Sequence, residues 1–283
     1  MRVLNIGGIP TSLGEIVNIK FYLDLVKNRY DQIRISFEKS LWDIALHTNA
    51  PDWPQKKILW ESLLSDLGQL FFSEHPYVLE EKSTTYNGAV DNLLPKINLS
   101  PQKAEMGHLL CAGNSLNLEE EYIVITTKVR ELSRDIFAPL SWSLWNMLKQ
   151  LSTKYKIVIL GERVVETRKE YINKGNTIYG IYDDIVANIP SDRVIDLTVP
   201  ALGETVSSLS NIRQDCLIMK EAKFVITIGV GGNFCMATSV ADMVIGFRAD
   251  NIQFTNAIFN REYPNAIITK DWDRFMGALK GYL

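Results

Sequence analysis

The chain has 283 residues, of which 46% are hydrophobic, 22% charged and 10% aromatic. These are the values of a folded protein with a core and exclude a largely disordered chain. The length suits two domains, and a formal net charge of −3 excludes the broad basic face that nucleic acid demands, so any cationic site is local.

Cys111, Cys216 and Cys235 are odd in number and carry no paired spacing, and His47, His75 and His108 are scattered. Neither a disulfide framework nor a metal site is expected, and the thiols suit a reducing, cytoplasmic compartment. No run reaches the ~18–20 apolar residues of a membrane span. Met1 to Ile6 starts as a strand rather than as a charged leader. A soluble protein is expected, with peripheral association at a membrane left open.

In chain order, Val3, Leu4 and Ile6 form a strand that ends at Gly7-Gly8. Ile16, Ile19, Leu23 and Val26 recur at helical spacing, and Ile33, Ile35 and Phe37 alternate as a second strand. Residues 41–94 read as mostly helical, and Pro95 to Glu121, mixed in Pro, Asn, Ser and Gly, as a linker. The βα rhythm then restarts with Ile123–Ile125, a helix over Leu140–Leu151 and a strand Ile157–Leu160 ending at Gly161. A helix near Glu166–Lys174, a strand Val194–Leu197, a helix Ser207–Lys220, a strand Phe224–Ile228 and a last helix Trp272–Leu283 follow. This is an α/β chain of two Rossmann-like domains facing a cleft. The expected boundaries are 1–115, 116–270, and a C-terminal helix 271–283 packing back on the first domain.

Two glycine turns follow strands. In the first, Gly14 is a candidate for donor or phosphate binding, because glycine allows close backbone approach and the helix N-terminus that follows favours anions. It precedes Glu15 at the helix start, and two readings of Glu15 are open. An acid in a first turn complements the helix dipole, by roughly 0.3–1 kcal/mol; an acid at a cleft edge also serves as a base. The second turn, Gly229-Val230-Gly231-Gly232-Asn233, bares backbone N–H groups just before a helix, a nest suited to a diphosphate or a tightly packed loop. Thr126, Thr127, Lys128, Arg130 and Arg134 follow a strand, where hydroxyls and cations suit phosphate oxygens; a solvated charged loop is the plain alternative. Glu162, at another strand end, is placed to accept from ribose hydroxyls or to cap a helix. Asp271-Trp272-Asp273 is read as an N-cap rather than a metal motif, and Trp142 and Trp145 as core or interface packing.

Taken in order, these segments resemble the heptosyltransferases of lipopolysaccharide synthesis, glycosyltransferase family 9, with the GT-B fold. The resemblance runs through Met1–Ile6, Leu13-Gly14-Glu15-Ile16-Val17 and Leu23–Tyr30, then Thr126-Thr127 with Pro139 and Trp142. It continues in Ile157–Glu162, Val194-Ile195-Asp196-Leu197-Thr198 and Ala222–Val225. It implies Glu15 as the catalytic base, donor contacts from Thr126, Thr127, one of the cations, Glu162 and Thr198, and a diphosphate at Gly229, Gly231, Gly232 and Asn233. The family's donor loop reads Asp-Ser/Thr-Gly-x-x-His, and this chain has neither that Asp nor that His, which leaves nucleotide and sugar open.

The expected activity is transfer of a sugar from a nucleotide-diphosphate donor to a glycan or glycolipid acceptor, inverting and without metal or cofactor, in polysaccharide biosynthesis. The nucleotide-sugar is a co-substrate. Two other classes stay open. One is a nucleotide-dependent oxidoreductase, with Glu38 as the ribose acid. The other is a non-catalytic nucleotide- or glycan-binding protein on the same scaffold.

Overall fold

The computed structural model describes residues 1–9, 17, 20, 23–24, 27–37, 64–65, 70–73, 84–85, 110–130, 132–163, 178–199, 209–229, 232–248 and 264–283. The chain forms two compact units, Met1–Ala104 with Phe254–Glu262, and Glu105–Gln253 with Tyr263–Leu283. They divide after Ala104, where sequence patterning set the boundary at 115/116.

The first unit contains β1 (Val3–Ile9), β2 (Gln32–Phe37), β3 (Leu70–Ser73) and β4 (Thr84–Thr85), in the order β3-β2-β1-β4 with every pair parallel. Two findings depart from the sequence patterning. Gly7 and Gly8 lie inside β1, and the β1–β2 register shifts between Ile6 and Ile9; glycine tolerates such an irregularity within a strand. Leu70–Ser73 and Thr84–Thr85, within the stretch read as mostly helical, are strands that pair with β2 and β1. Both runs are too short for periodicity to separate strand from helix.

The second unit is built on β5 (Tyr122–Thr126), β7 (Lys156–Leu160), β9 (Val194–Asp196), β10 (Val225–Ile228), β11 (Val244–Phe247) and β12 (Ala266–Thr269). Their spatial order is β12-β11-β10-β5-β7-β9, all parallel. Numbered within the unit, that is the doubly wound order 3-2-1-4-5-6, and the first unit repeats its 3-2-1-4 portion. β5 and β10 are buried along their whole length, because a parallel strand with helices over both faces shows water no side. β6 (Lys128–Arg130) and β8 (Ile178–Gly180) add a small antiparallel ribbon, with Val129 opposite Tyr179.

The described helices of this unit are α1 (Arg134–Leu151), α2 (Tyr182–Asn188), α3 (Leu209–Glu221), α4 (Gly232–Val240) and α5 (Trp272–Lys280). The Ser133 hydroxyl accepts from the Ile136 N–H and starts α1 six residues before the apolar pattern does. Phe137, Ser141, Leu144, Trp145, Leu148 and Leu151 form its buried face. Trp142 lies about 100° round the helix from Ser141 and is 73% exposed, so only Trp145 of the expected tryptophan pair joins the core.

Asp271 caps α5, accepting from the Asp273 and Arg274 N–H groups at 2.9 and 3.2 Å. The sequence reading expects this helix against the first domain; its residues belong to the second unit. α5 lies against β11, β12 and α1 of the second unit. Its fully buried Phe275 and Leu279, one helical turn apart, belong to that unit's core, and the Trp272 indole N–H donates to Ser143 Oγ at 2.8 Å. All three cysteines are free thiols. No described helix is long and apolar enough to cross a membrane.

Asp215 on α3 provides a test of the packing. Burial pushes its carboxyl up to about 7, whereas an unfolded aspartate ionises near 4. Between those pH values unfolding releases a proton, so stability falls as pH rises from about 4 to 7 and is flat above. The slope this residue contributes reaches at most about 1.4 kcal/mol per pH unit. Urea unfolding at pH 5 and pH 8 should show the Asp215→Asn protein gaining on the parent at the higher pH. An identical pH dependence in both proteins would mean that the carboxyl is solvated.

Candidate functional site

In a doubly wound sheet, the loops after the first and fourth strands leave toward opposite sides, and a crevice opens at the carboxyl edge between them. Here those strands are the neighbours β5 and β10. Thr126 ends β5 and Thr127 follows it, Gly161 and Glu162 follow β7, Asp196 ends β9 with Thr198 two residues on, and Gly229 follows β10. The strands are parallel, so all these groups share one edge.

Thr127 ties the edge together. Its N–H donates to the Leu160 carbonyl at 3.0 Å, its carbonyl accepts from the Ile181 N–H at 2.9 Å, and its hydroxyl donates to the Glu162 carbonyl at 2.7 Å. The side chains of Thr126 and Thr127 are both closed to solvent. Thr127 therefore orders the loops after β5 and β7, and its hydroxyl proton is already engaged.

Gly161 makes this closeness feasible. Its φ of +107° is a conformation that side chains rarely adopt, and a Cβ there would meet Thr127 Oγ1 at 2.8 Å and Asn233 Nδ2 at 3.8 Å. Three loops thus converge on one residue with no side chain.

The nest expected after β10 is altered in one member. Gly229 has φ +93°, but its N–H donates to the Phe247 carbonyl at 2.7 Å, so it extends the sheet instead of facing a ligand. Gly232 and Asn233 open α4, whose first turn has no acidic residue. First-turn amides have no partner within their own helix and favour anions. Gly231 lies outside the described residues, as do Gly14 and Glu15.

Of the three candidate cations, Lys128 pairs with Glu162 at 3.2 Å, both largely buried. Arg134 lies over the Tyr179 ring, 4.6 Å from its centroid, and the side chain of Arg130 lies outside the described residues. Lys128 and Glu162, one expected at phosphate and the other at ribose, are each other's counterion at the centre of the edge.

Thr198 sits in a network that the sequence did not announce. Its N–H and hydroxyl both donate to Asp196 Oδ1, at 2.9 and 2.6 Å. Asp196 Oδ2 accepts from Arg163 Nη2 and from the Tyr182 hydroxyl, each at 2.7 Å. Burial acts to raise the Asp196 carboxyl, but the bonds from Thr198 and Tyr182 and the Arg163 charge outweigh it and hold it below its ordinary range. The Asp-x-Thr spacing, which favours such a turn, was the one available signal. Among the described residues, no group of three or more His, Cys, Asp or Glu side chains could hold a metal ion.

Gly161→Ala tests the convergence. A Cβ in that conformation costs about 1–3 kcal/mol and must push Thr127 aside. Urea unfolding should register that loss, and unchanged stability would mean that the three loops are not closely packed.

No family model and no curated protein matches the chain. Solved structures of similar fold include two heptosyltransferases. One is the E. coli ADP-heptose LPS heptosyltransferase II, at 13% identity and a TM-score of 0.51, covering 100% of this chain and 98% of that one. The other is the dodecameric iron-containing heptosyltransferase TibC in complex with ADP-D-beta-D-heptose, at 13% identity and a TM-score of 0.50, covering 94% of this chain. This chain spans 62% of the length of TibC. The fold is therefore that of the GT-B heptosyltransferases.

Proposed function

We propose that the chain is a glycosyltransferase that moves a sugar from a nucleotide-diphosphate donor to a glycan or glycolipid acceptor, with inversion and without a metal. The observation that carries this reading is the reversal of strand order between β5 and β10, the switch point beside which ligands of such sheets bind. There the first-turn amides of α4 adjoin the edge formed by Thr127, Gly161 and the Lys128–Glu162 pair. Support from fold comes from heptosyltransferase II and from TibC, the latter solved with ADP-D-beta-D-heptose.

The diphosphate takes the amides of Gly232 and Asn233 and the positive end of α4. Gly231 joins them by its place in the turn. Lys128 supplies the positive charge once a diphosphate competes with Glu162 for it, and Glu162 then turns to the ribose hydroxyls. In transfer, the acceptor hydroxyl loses its proton to Glu15, and its oxygen bonds to the anomeric carbon from the face opposite the donor. The bond from that carbon to the diphosphate oxygen breaks, and the electron pair leaves with the diphosphate. Preorganised amides and a cation stabilise the leaving charge as it develops. Glu15 is assigned by resemblance in the turn after Gly14, and base catalysis of this kind contributes typically ~10²–10⁴-fold.

Glu15→Gln keeps the side chain's size and removes its basicity. Turnover should fall by ~10²–10⁴-fold, while calorimetry in EDTA shows the parent's affinity for the nucleoside diphosphate. Parent-like turnover would remove Glu15 from catalysis. Binding that vanishes in chelator and returns with Mn²⁺ would overturn the metal-free mechanism.

A further inference from the structure

The carboxyl edge of the second sheet carries polar groups in a spatial sequence. At β10 stand the α4 amides, at β5 and β7 the Lys128–Glu162 pair, and at β7 and β9 Arg163 with Tyr182. Neighbouring strands lie ~4.8 Å apart, so three steps from β10 to β9 span about 14 Å, the reach of an extended nucleoside diphosphate. We infer that Arg163, braced on Tyr182, is the stacking platform for the nucleobase. This rests on the nucleotide reading above and adds to it the part of the ligand that this end of the edge recognises.

The guanidinium is built to be flat and still. Its Nη2 donates to Asp196 Oδ2 at 2.7 Å and its Nε to Thr198 Oγ1 at 3.3 Å. One face covers the Tyr182 ring, 5.0 Å from its centroid. The Tyr182 hydroxyl donates to the same Asp196 oxygen at 2.7 Å, so ring and guanidinium are fixed to one carboxylate. The Arg163 N–H donates to the Val199 carbonyl at 2.9 Å, which fixes the backbone as well. Even so, half of the Arg163 side chain is exposed.

An arginine serving only as a counterion has no need of a ring beneath it, and a surface ion pair by itself contributes little. Held in this way, the open face of a planar cation offers an aromatic base a stacking surface with its ordering cost already met. Stacking on such a face discriminates poorly among bases but rewards ring area, so purines gain more than pyrimidines.

Calorimetry on the full chain with ADP, GDP, UDP and inorganic pyrophosphate tests the assignment. Arg163→Lys keeps the charge and loses the planar face. It should weaken ADP and GDP by about 5- to 30-fold, weaken UDP less, and leave pyrophosphate within about twofold. Arg163→Met should weaken the purine diphosphates in the same way, and retained pyrophosphate binding reports that either variant is folded. Unchanged ADP affinity in both variants, or an equal loss for pyrophosphate and ADP, would overturn the stacking role and leave the nucleotide reading standing. If the parent chain binds none of the four, the nucleotide reading fails, and this inference fails with it.

Discussion

A parallel sheet that winds first to one side and then to the other forces a gap at its carboxyl edge. In the second unit this happens between β5 and β10, both wholly buried and hydrogen-bonded to each other. The chain leaves β5 toward β7 and β9, and leaves β10 toward β11 and β12. Backbone groups at the two strand ends therefore part company. The buried strands fix where that parting occurs, and the groups beside it need only be suitable for a ligand.

The residues around the gap divide between those that close the edge and those that present chemistry. Thr127 and Gly229 close it, each committing its N–H to a neighbouring strand's carbonyl. Gly161 has no side chain, so the loops can approach one another. Lys128 and Glu162 are opposite charges held largely out of water, where each offsets the desolvation of the other. In the proposed reading, a diphosphate entering beside them would replace one partner of that pair. Arg163, Asp196, Thr198 and Tyr182 extend the same polar edge toward β9.

Much of this architecture was legible in the residues. The runs forming β5, β7 and β10 are apolar and bounded by Gly or polar residues, and they were read as strands from that pattern alone. β11 and β12 were not read. Val244–Phe247 is short and contains a glycine, and Ala266–Thr269 is only half-buried at the sheet's edge. The β6–β8 ribbon hid because Lys128-Val129-Arg130 shows a single apolar residue between two charges. Its Val129 is nevertheless fully buried opposite Tyr179. Lys128 and Glu162 were both named as candidates, but their pairing across 34 residues carries no sequence signature. Arg163 carries no sequence signal, because its partners arrive from β9 and α2, which nothing in its local sequence foretells.

The most direct measurement is a crystal structure of the chain with whichever of ADP, GDP or UDP it binds most tightly. The account predicts diphosphate oxygens within hydrogen-bonding distance, about 2.7–3.2 Å, of the Gly232 and Asn233 amides, with the Lys128–Glu162 pair opened toward the ligand. A nucleotide bound with its diphosphate away from the β5–β10 crevice would contradict it.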